Sequence, residues 1–182
     1  MKTRYLAGLL AMVLAAAVHA DDEGDEVMES LEGKKAPAFT LEGSDGKMHS
    51  LKDYAGKRVV IYFYPKDNTP GCTKEACGFR DLNKQIADLN TVVLGVSKDS
   101  LTSHDKFIND FNLPFVLLSD PDTKMMQTYG AFGEKVLYGK TSMGVIRSTV
   151  IVDEKGKIIK HWRKVPKAED HPQKVLEYLQ SL

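Results

Sequence analysis

The sequence predicts an α/β domain in which a mixed β-sheet lies between helices on both faces. Strand-like apolar runs alternate with amphipathic helical patterns, which favours a mainly parallel sheet. Near the end of the chain, two strand-like runs flank a glycine-containing turn at 153–156, which predicts an antiparallel hairpin. Hydrophobic residues make up 42% of the 182 residues and charged residues 27%. Such a composition is typical of a soluble globular protein that builds its own core.

Strands are predicted where short runs of branched and aromatic residues lie between turn signals. The segment 58–64, RVVIYFY, is unbroken in its apolar character, which is typical of a strand buried on both faces. The run 39–41 precedes a turn at 43–46 and is predicted to be a short edge strand. In chain order, the predicted strands are 39–41, 58–64, 91–96, 115–118, 149–152 and 157–162.

Four helices are predicted from apolar residues spaced three to four positions apart. They cover residues 73–90, 103–112, 122–129 and 168–182. The third helix is expected to end at Gly130, because glycine favours the position after a helix C-terminus. A thioredoxin-like order of elements fits this pattern, although periodicity does not single it out among α/β folds.

The first 20 residues have the pattern of a secretory signal peptide. Lys2 and Arg4 precede an apolar run over 5–17, and Val18 and Ala20 fit cleavage after Ala20. The run of about 13 residues is shorter than the ~20 that a membrane-spanning helix needs, which disfavours an uncleaved anchor. The sequence therefore predicts a periplasmic or secreted mature chain, in a compartment where disulfides persist.

Residues 21–32 carry seven acidic side chains and no basic one, which is typical of a solvated, flexible leader. The folded domain is expected over 33–182. Without residues 1–20 the net charge is 23 − 25 = −2, which argues against a general nucleic-acid binder. The two cysteines are too few for a disulfide scaffold or a four-cysteine zinc site.

The predicted strand 58–64 and helix 73–90 are joined by a loop with two prolines and a glycine. This arrangement places Cys72 at the N-terminal end of the helix, where unpaired backbone N–H groups and the helix dipole favour an anion. A thiol there is expected to be partly thiolate, the form that attacks electrophiles. Sites in open α/β sheets also lie at the carboxyl ends of strands, so Cys72 is the candidate nucleophile.

Cys77 follows five residues later, inside the predicted helix. Helix geometry sets the two Cα atoms about 8–9 Å apart, whereas a disulfide tolerates at most ~7 Å. A Cys72–Cys77 disulfide therefore requires local unwinding, which Gly78 would ease because glycine lowers helix propensity. Spacing alone also leaves open a structural disulfide and a buried, inert Cys77.

Three segments of the chain carry a recognisable family pattern. Residues 65–77 read PKDNTPGCTKEAC and fit P-x-x-x-T-x-x-C at Pro65, Thr69 and Cys72. Residues 35–41 and 138–149 have counterparts in the same order. The chain thereby resembles peroxiredoxins of the bacterioferritin comigratory protein (PrxQ) type. Segment 35–41 is similar to the family's opening strand, and 138–149 resembles the segment that supplies its active-site arginine.

This resemblance implies a thiol peroxidase on a thioredoxin-like fold, which reduces hydrogen peroxide and organic hydroperoxides. Cys72 would be the peroxidatic cysteine, oxidised to a sulfenic acid. Cys77 would be the resolving cysteine, which condenses with that sulfenic acid to form an intramolecular, redox-active disulfide. An external dithiol protein would then reduce the disulfide. The chemistry implied uses no metal, haem or flavin.

Three further site residues follow from the resemblance. Thr69 would hydrogen-bond the thiolate and the peroxide oxygen. Arg147 would stabilise the thiolate and the charge that develops on oxygen. Pro65 would shape and shield the pocket. On the sequence alone, Glu75 is interpreted as a charge complement to the helix dipole, with a proton relay as the alternative.

The predicted export signal departs from the usual cytosolic or plastidic members of this family. A cytoplasmic thioredoxin could not reach the exported chain, so a periplasmic thioredoxin-like protein is the expected reductant. A cysteine pair within one chain permits a working monomer, and no nucleic-acid or membrane partner is expected after cleavage. Two alternatives stay open. One is an exported thiol–disulfide oxidoreductase, although this chain has no CxxC, and the other is a non-enzymatic domain held by a structural disulfide.

Overall fold

A computed structural model describes residues 29–137 and 139–182 of the chain. The predicted signal peptide and most of the predicted acidic leader lie outside the described residues. The last two leader residues contact the domain: the Leu31 amide donates to His161 Nδ1 at 3.1 Å, and the Glu32 carboxylate accepts from the His161 amide at 2.9 Å. Within the described ranges, no helix is long and apolar enough to cross a membrane.

In the part of the chain that the structure describes, nine strands form a large sheet and a separate ribbon. They are β1 (Thr40–Gly43), β2 (Met48–Ser50), β3 (Arg58–Phe63), β4 (Thr91–Ser97), β5 (Val116–Ser119), β6 (Phe132–Leu137), β7 (Lys140–Val145), β8 (Ser148–Val152) and β9 (Ile158–Trp162). The seven-stranded sheet has the order β2-β1-β5-β4-β3-β8-β9. β3, β4 and β5 are parallel, whereas β1, β2, β8 and β9 join the sheet antiparallel to their neighbours. The predicted mixed sheet and the β8–β9 hairpin are thus confirmed.

The apolar run of β3 is buried on both faces of the sheet, as predicted. Val59, Ile61 and Phe63 point into one core, and Val60 and Tyr62 point into the other. Because successive side chains of a strand alternate between faces, a strand covered on both sides needs an apolar residue at nearly every position.

Helices cover both faces of the sheet. They are α1 (Pro70–Asp88), α2 (Leu101–Phe111), α3 (Lys124–Thr128) and α4 (His171–Gln180). Buried residues of α1, α2 and α4 share the core of Val60 and Tyr62, whereas α3 packs in the other core. α1 begins at Pro70, earlier than predicted, because extended Thr69 caps the helix and proline suits a first helical position.

Two parts of the strand prediction are wrong. The predicted edge strand at 39–41 begins at Thr40 and is not an edge, because β1 has β2 on one side and β5 on the other. The edge strand on this side of the sheet is β2, and its three residues are too few to produce a recognisable pattern. The β6–β7 ribbon was not predicted, because glycine and charged residues interrupt its alternation.

The register of the sheet brings two distant parts of the chain together. Phe63, the last residue of β3, pairs with Ser148, the first residue of β8. Arg147 precedes Ser148, and the loop that leads to α1 follows Phe63. Because β3 and β8 are antiparallel, Arg147 and the start of α1 lie at the same end of the sheet.

Candidate active site

Cys72 lies in the first turn of α1 and is almost completely buried, with 2% of its surface exposed. Thr69 precedes the helix in an extended conformation, and its carbonyl accepts the first helical bond, from the Thr73 amide at 2.8 Å. The helix therefore begins two residues before Cys72, and the predicted place of the thiol at the N-terminal end of this helix is confirmed. Backbone N–H groups of the first turn and the helix dipole attract negative charge to this end of a helix.

Arg147 reaches Cys72 from the two-residue connection between β7 and β8. Its Nη2 donates to the Cys72 sulfur at 3.3 Å, and its Nη1 forms an ion pair with the Glu75 carboxylate. Only 16% of the Arg147 side chain is exposed. The guanidinium therefore faces the sulfur and the carboxylate from a largely buried position, where charge interactions are stronger than in water.

Glu75 is fully buried one turn of helix after Cys72. Burial raises its pKa to about 7, and the positive charge and hydrogen bond of Arg147 limit the rise. Its Oε1 has no hydrogen-bond partner within the described residues. Glu75 is therefore the ion-pair partner of Arg147, which the interpretation as a dipole complement missed. The sequence does contain a signal for the burial of Glu75, because this residue lies beside Ala76 on the apolar face of α1 that packs into the core.

Cys77 is partly buried in the same unbroken helix, and both cysteines are free thiols. On the other side of Cys77, Gly78 packs against α4: a Cβ atom at Gly78 would lie 2.8 Å from Pro172 Cγ. The structure is thus the reduced state with α1 intact. A bond between the two sulfur atoms requires unwinding of the segment between the cysteines, which contains Glu75.

Thr69 and Pro65 lie in the loop before α1, and both are partly buried. The Thr69 hydroxyl donates to the Lys66 carbonyl oxygen at 2.9 Å. Since its one proton is engaged there, the hydroxyl offers lone pairs rather than a donor in this state. The hydrogen bond from Thr69 to the sulfur that the resemblance implies is not among the contacts of the described residues.

In the described part of the chain, no group of three or more His, Cys, Asp or Glu side chains is arranged to hold a metal ion. Arg147 donates to the Cys72 sulfur, and the sulfur lies in the first turn of α1. Such an arrangement suits a thiolate that attacks a neutral, polarisable electrophile, with a cation in place for the anion that leaves.

The AhpC/TSA family profile matches residues 32–161. The putative peroxiredoxin bcp of Coxiella burnetii is 50% identical over 144 residues, which cover 79% of this chain and 95% of that protein. Peroxiredoxin Bcp of Bacillus subtilis is 47% identical over 150 residues, which cover 82% of this chain and 95% of that protein. Peroxiredoxin Q of Xanthomonas campestris superposes with a TM-score of 0.74 at 39% identity, covering 79% of this chain and 90% of that one. A second structure also superposes with a TM-score of 0.74, at 38% identity. It concerns alkyl peroxide reduction by the X. campestris bacterioferritin comigratory protein.

Replacing Glu75 by glutamine should change how stability depends on pH. Because the pKa of Glu75 is about 7 in the folded protein against an ordinary 4.5, the folded state holds a proton that the unfolded state releases between these values. This group therefore lowers the free energy of unfolding as pH rises from 4.5 to 7. His171 acts in the opposite direction, since burial lowers its pKa to about 4, but it is unchanged in the variant.

Urea unfolding of the reduced protein between pH 5 and 8 would measure this difference. We expect the stability of wild type relative to Glu75→Gln to fall by on the order of 2–3 kcal/mol across that range. The matched control is Glu169→Gln, which replaces an exposed carboxylate and should follow the wild-type curve. Parallel curves for wild type and Glu75→Gln would contradict the prediction.

Proposed function

Since this chain belongs to the AhpC/TSA family and is a thiol-dependent peroxidase of the Bcp/PrxQ type with a thioredoxin-like fold, we propose that it reduces hydrogen peroxide and organic hydroperoxides through Cys72. The observation that carries the proposal is the 3.3 Å hydrogen bond from Arg147 Nη2 to the Cys72 sulfur at the start of α1. The alkyl peroxide reduction described for the X. campestris relative supports the organic substrates.

In the first step, the Cys72 thiolate attacks one oxygen of the peroxide. A sulfur–oxygen bond forms as the oxygen–oxygen bond breaks, which leaves a sulfenic acid on Cys72 and a hydroxide or alkoxide that takes up a proton. Arg147 contributes a positive charge that first stabilises the thiolate and then the departing oxygen. Glu75 holds the guanidinium in place through its ion pair. Pro65 walls the pocket, and the Thr69 oxygen offers lone pairs to the peroxide proton.

In the second step, Cys77 attacks the sulfenic sulfur of Cys72. A sulfur–sulfur bond forms and water leaves, which gives an intramolecular disulfide. This step requires that α1 unwinds between the two cysteines, because about 8–9 Å separates their Cα atoms in a helix. An external dithiol protein then reduces the disulfide by exchange, and the helix reforms.

Peroxide consumption in excess dithiothreitol should separate the roles of the two cysteines. Cys72→Ser should consume no more peroxide than the dithiothreitol blank. Cys77→Ser should remain active, because dithiothreitol reduces the sulfenic acid directly, and a sulfenic-acid trap should label it at Cys72. Wild type treated with one equivalent of peroxide should carry the disulfide within a chain that migrates as a monomer on a non-reducing gel. Equal peroxide consumption by Cys72→Ser and wild type would refute the proposal.

Arg147→Lys should slow the first step. Lysine keeps the positive charge but lacks the planar fork that faces the sulfur and the Glu75 carboxylate together. We expect the second-order rate constant of the reduced protein with hydrogen peroxide, followed by stopped flow, to fall by about 10²–10³. Arg58→Lys is the matched control, because Arg58 lies at the opposite end of β3 in a partly exposed ion pair with Glu154. A similar rate for Arg147→Lys and Arg58→Lys would refute the role of the guanidinium.

The sequence pattern of residues 1–20 supports a periplasmic enzyme that takes part in antioxidant defence and is reduced there by a thioredoxin-like protein. Two measurements address this part of the proposal. The mass of the protein recovered from the periplasm of an expressing bacterium should correspond to a chain that starts at Asp21. The oxidised protein should be reduced by an exported thioredoxin-like dithiol protein. A chain that stays in the cytoplasm, or an absence of turnover with that reductant, would contradict the proposal.

A further inference from the structure

Asp67 is buried in the loop between β3 and α1, with 4% of its surface exposed. Its carboxylate accepts three hydrogen bonds: from the Tyr64 hydroxyl at 2.7 Å, from Ser103 Oγ at 2.8 Å and from His104 Nδ1 at 2.9 Å. Burial alone would raise the pKa of Asp67, but the hydrogen bonds from His104 and Tyr64 lower it below its ordinary value. A loop carboxylate is therefore held as an anion inside the protein.

His104 lies on α2 and is completely buried. Its Nδ1 faces the Asp67 carboxylate, and its Nε2 faces the Leu118 carbonyl oxygen at 3.2 Å. The carboxylate is an acceptor only, so the contact at Nδ1 is a hydrogen bond that the ring donates. Asp67 and His104 therefore form a buried hydrogen-bonded pair that joins the loop to α2.

The backbone of Asp67 is fixed as well as its side chain. The Asp67 amide donates to Asp99 Oδ2 at 2.9 Å, and Ser97 Oγ donates to the same oxygen at 2.7 Å. The next residue, Asn68, has a left-handed backbone with φ 56°, and Thr69 then caps α1. The residue two positions before the N-cap of the helix that carries Cys72 is therefore anchored to the loop after β4 and to α2.

We propose that the buried hydrogen bond between His104 and Asp67 positions Cys72 against Arg147 for the peroxidase reaction. Cys72 and Arg147 come from different elements, so their 3.3 Å contact depends on where the loop places the start of α1. A buried carboxylate that loses a hydrogen bond is costly, so this bond favours one arrangement of the loop. His104 touches neither sulfur nor substrate and acts through the loop. This proposal rests on the proposed function of Cys72.

Two substitutions of His104 separate its two hydrogen bonds. The amide nitrogen of asparagine occupies nearly the place of Nδ1, so His104→Asn retains the donor to Asp67. The amide nitrogen of glutamine occupies nearly the place of Nε2, so His104→Gln retains only the donor to the Leu118 carbonyl. If His104 only ties α2 to β5, His104→Gln should retain more of the peroxide rate constant than His104→Asn. If His104 acts through Asp67 as proposed, His104→Asn should retain more.

The test is the rate constant of the reduced variants with hydrogen peroxide, measured by stopped flow beside the rate of disulfide formation. We expect His104→Gln to lower the peroxide rate constant by about 10–100-fold, because a misplacement near 1 Å costs about that much. His104→Asn should lower it severalfold less, and disulfide formation should change little in either variant. Equal losses in the two variants, or wild-type rates in His104→Gln, would overturn the proposal.

Ser103→Ala keeps the test decisive if a His104 variant does not fold. It deletes one donor to Asp67 and leaves no charge unpaired, so the peroxide rate constant should fall about threefold to tenfold. The hydrogen bond has its own readout, since imidazole ¹⁵N NMR of wild type should show a proton on Nδ1 of His104. An Nδ1 without a proton would refute the hydrogen bond to Asp67. If wild type itself consumes no peroxide through Cys72, the proposed function fails, whereas wild-type activity with unaffected variants refutes only the positioning role.

Discussion

The buried guanidinium of Arg147 is the interaction on which the site depends. It is the cation that the structure places against the Cys72 sulfur, and it is paired at the same time with the fully buried Glu75. The sheet makes this possible, because the antiparallel register of β3 and β8 brings Arg147 to the end of the strand that leads into α1. The chemistry of the thiol thus rests on a pairing of strands that are some 85 residues apart in the chain.

The Cys72 thiol and the Glu75 carboxyl group compete for the positive charge of Arg147. If the thiol and Glu75 were both ionised, Arg147 would have to balance two negative charges in a place that water hardly reaches. Burial raises the pKa of Glu75 to about 7, so near neutral pH a proton is partly retained on this carboxyl group. The positive charge of Arg147 is then more fully available to the sulfur.

Much of the fold could be predicted because its signals are local. The apolar run of β3, the stripe of α1 and the glycine turn of the β8–β9 hairpin each lie within one segment, and so does the placement of Cys72 at a helix start. The wrong or missing parts depend on contacts between segments. Whether β1 is an edge depends on β2 and β5, the burial of Glu75 depends on Arg147, and the anchoring of Asp67 depends on α2. Arg147 itself was identified only through family resemblance, since no local pattern distinguishes it from a surface arginine.

The position of Glu75 between the two cysteines has a consequence for the energetics of the redox couple. Closing a disulfide from Cys72 to Cys77 must disturb the turn that carries Glu75, and with it the helical hydrogen bonds of that turn and the ion pair to Arg147. The free energy of these contacts belongs to the dithiol form alone. Whatever stabilises the intact helix therefore raises the reduction potential of the disulfide and makes the oxidised protein easier to reduce. The stability of α1 therefore helps to set how readily an external dithiol regenerates the reduced protein.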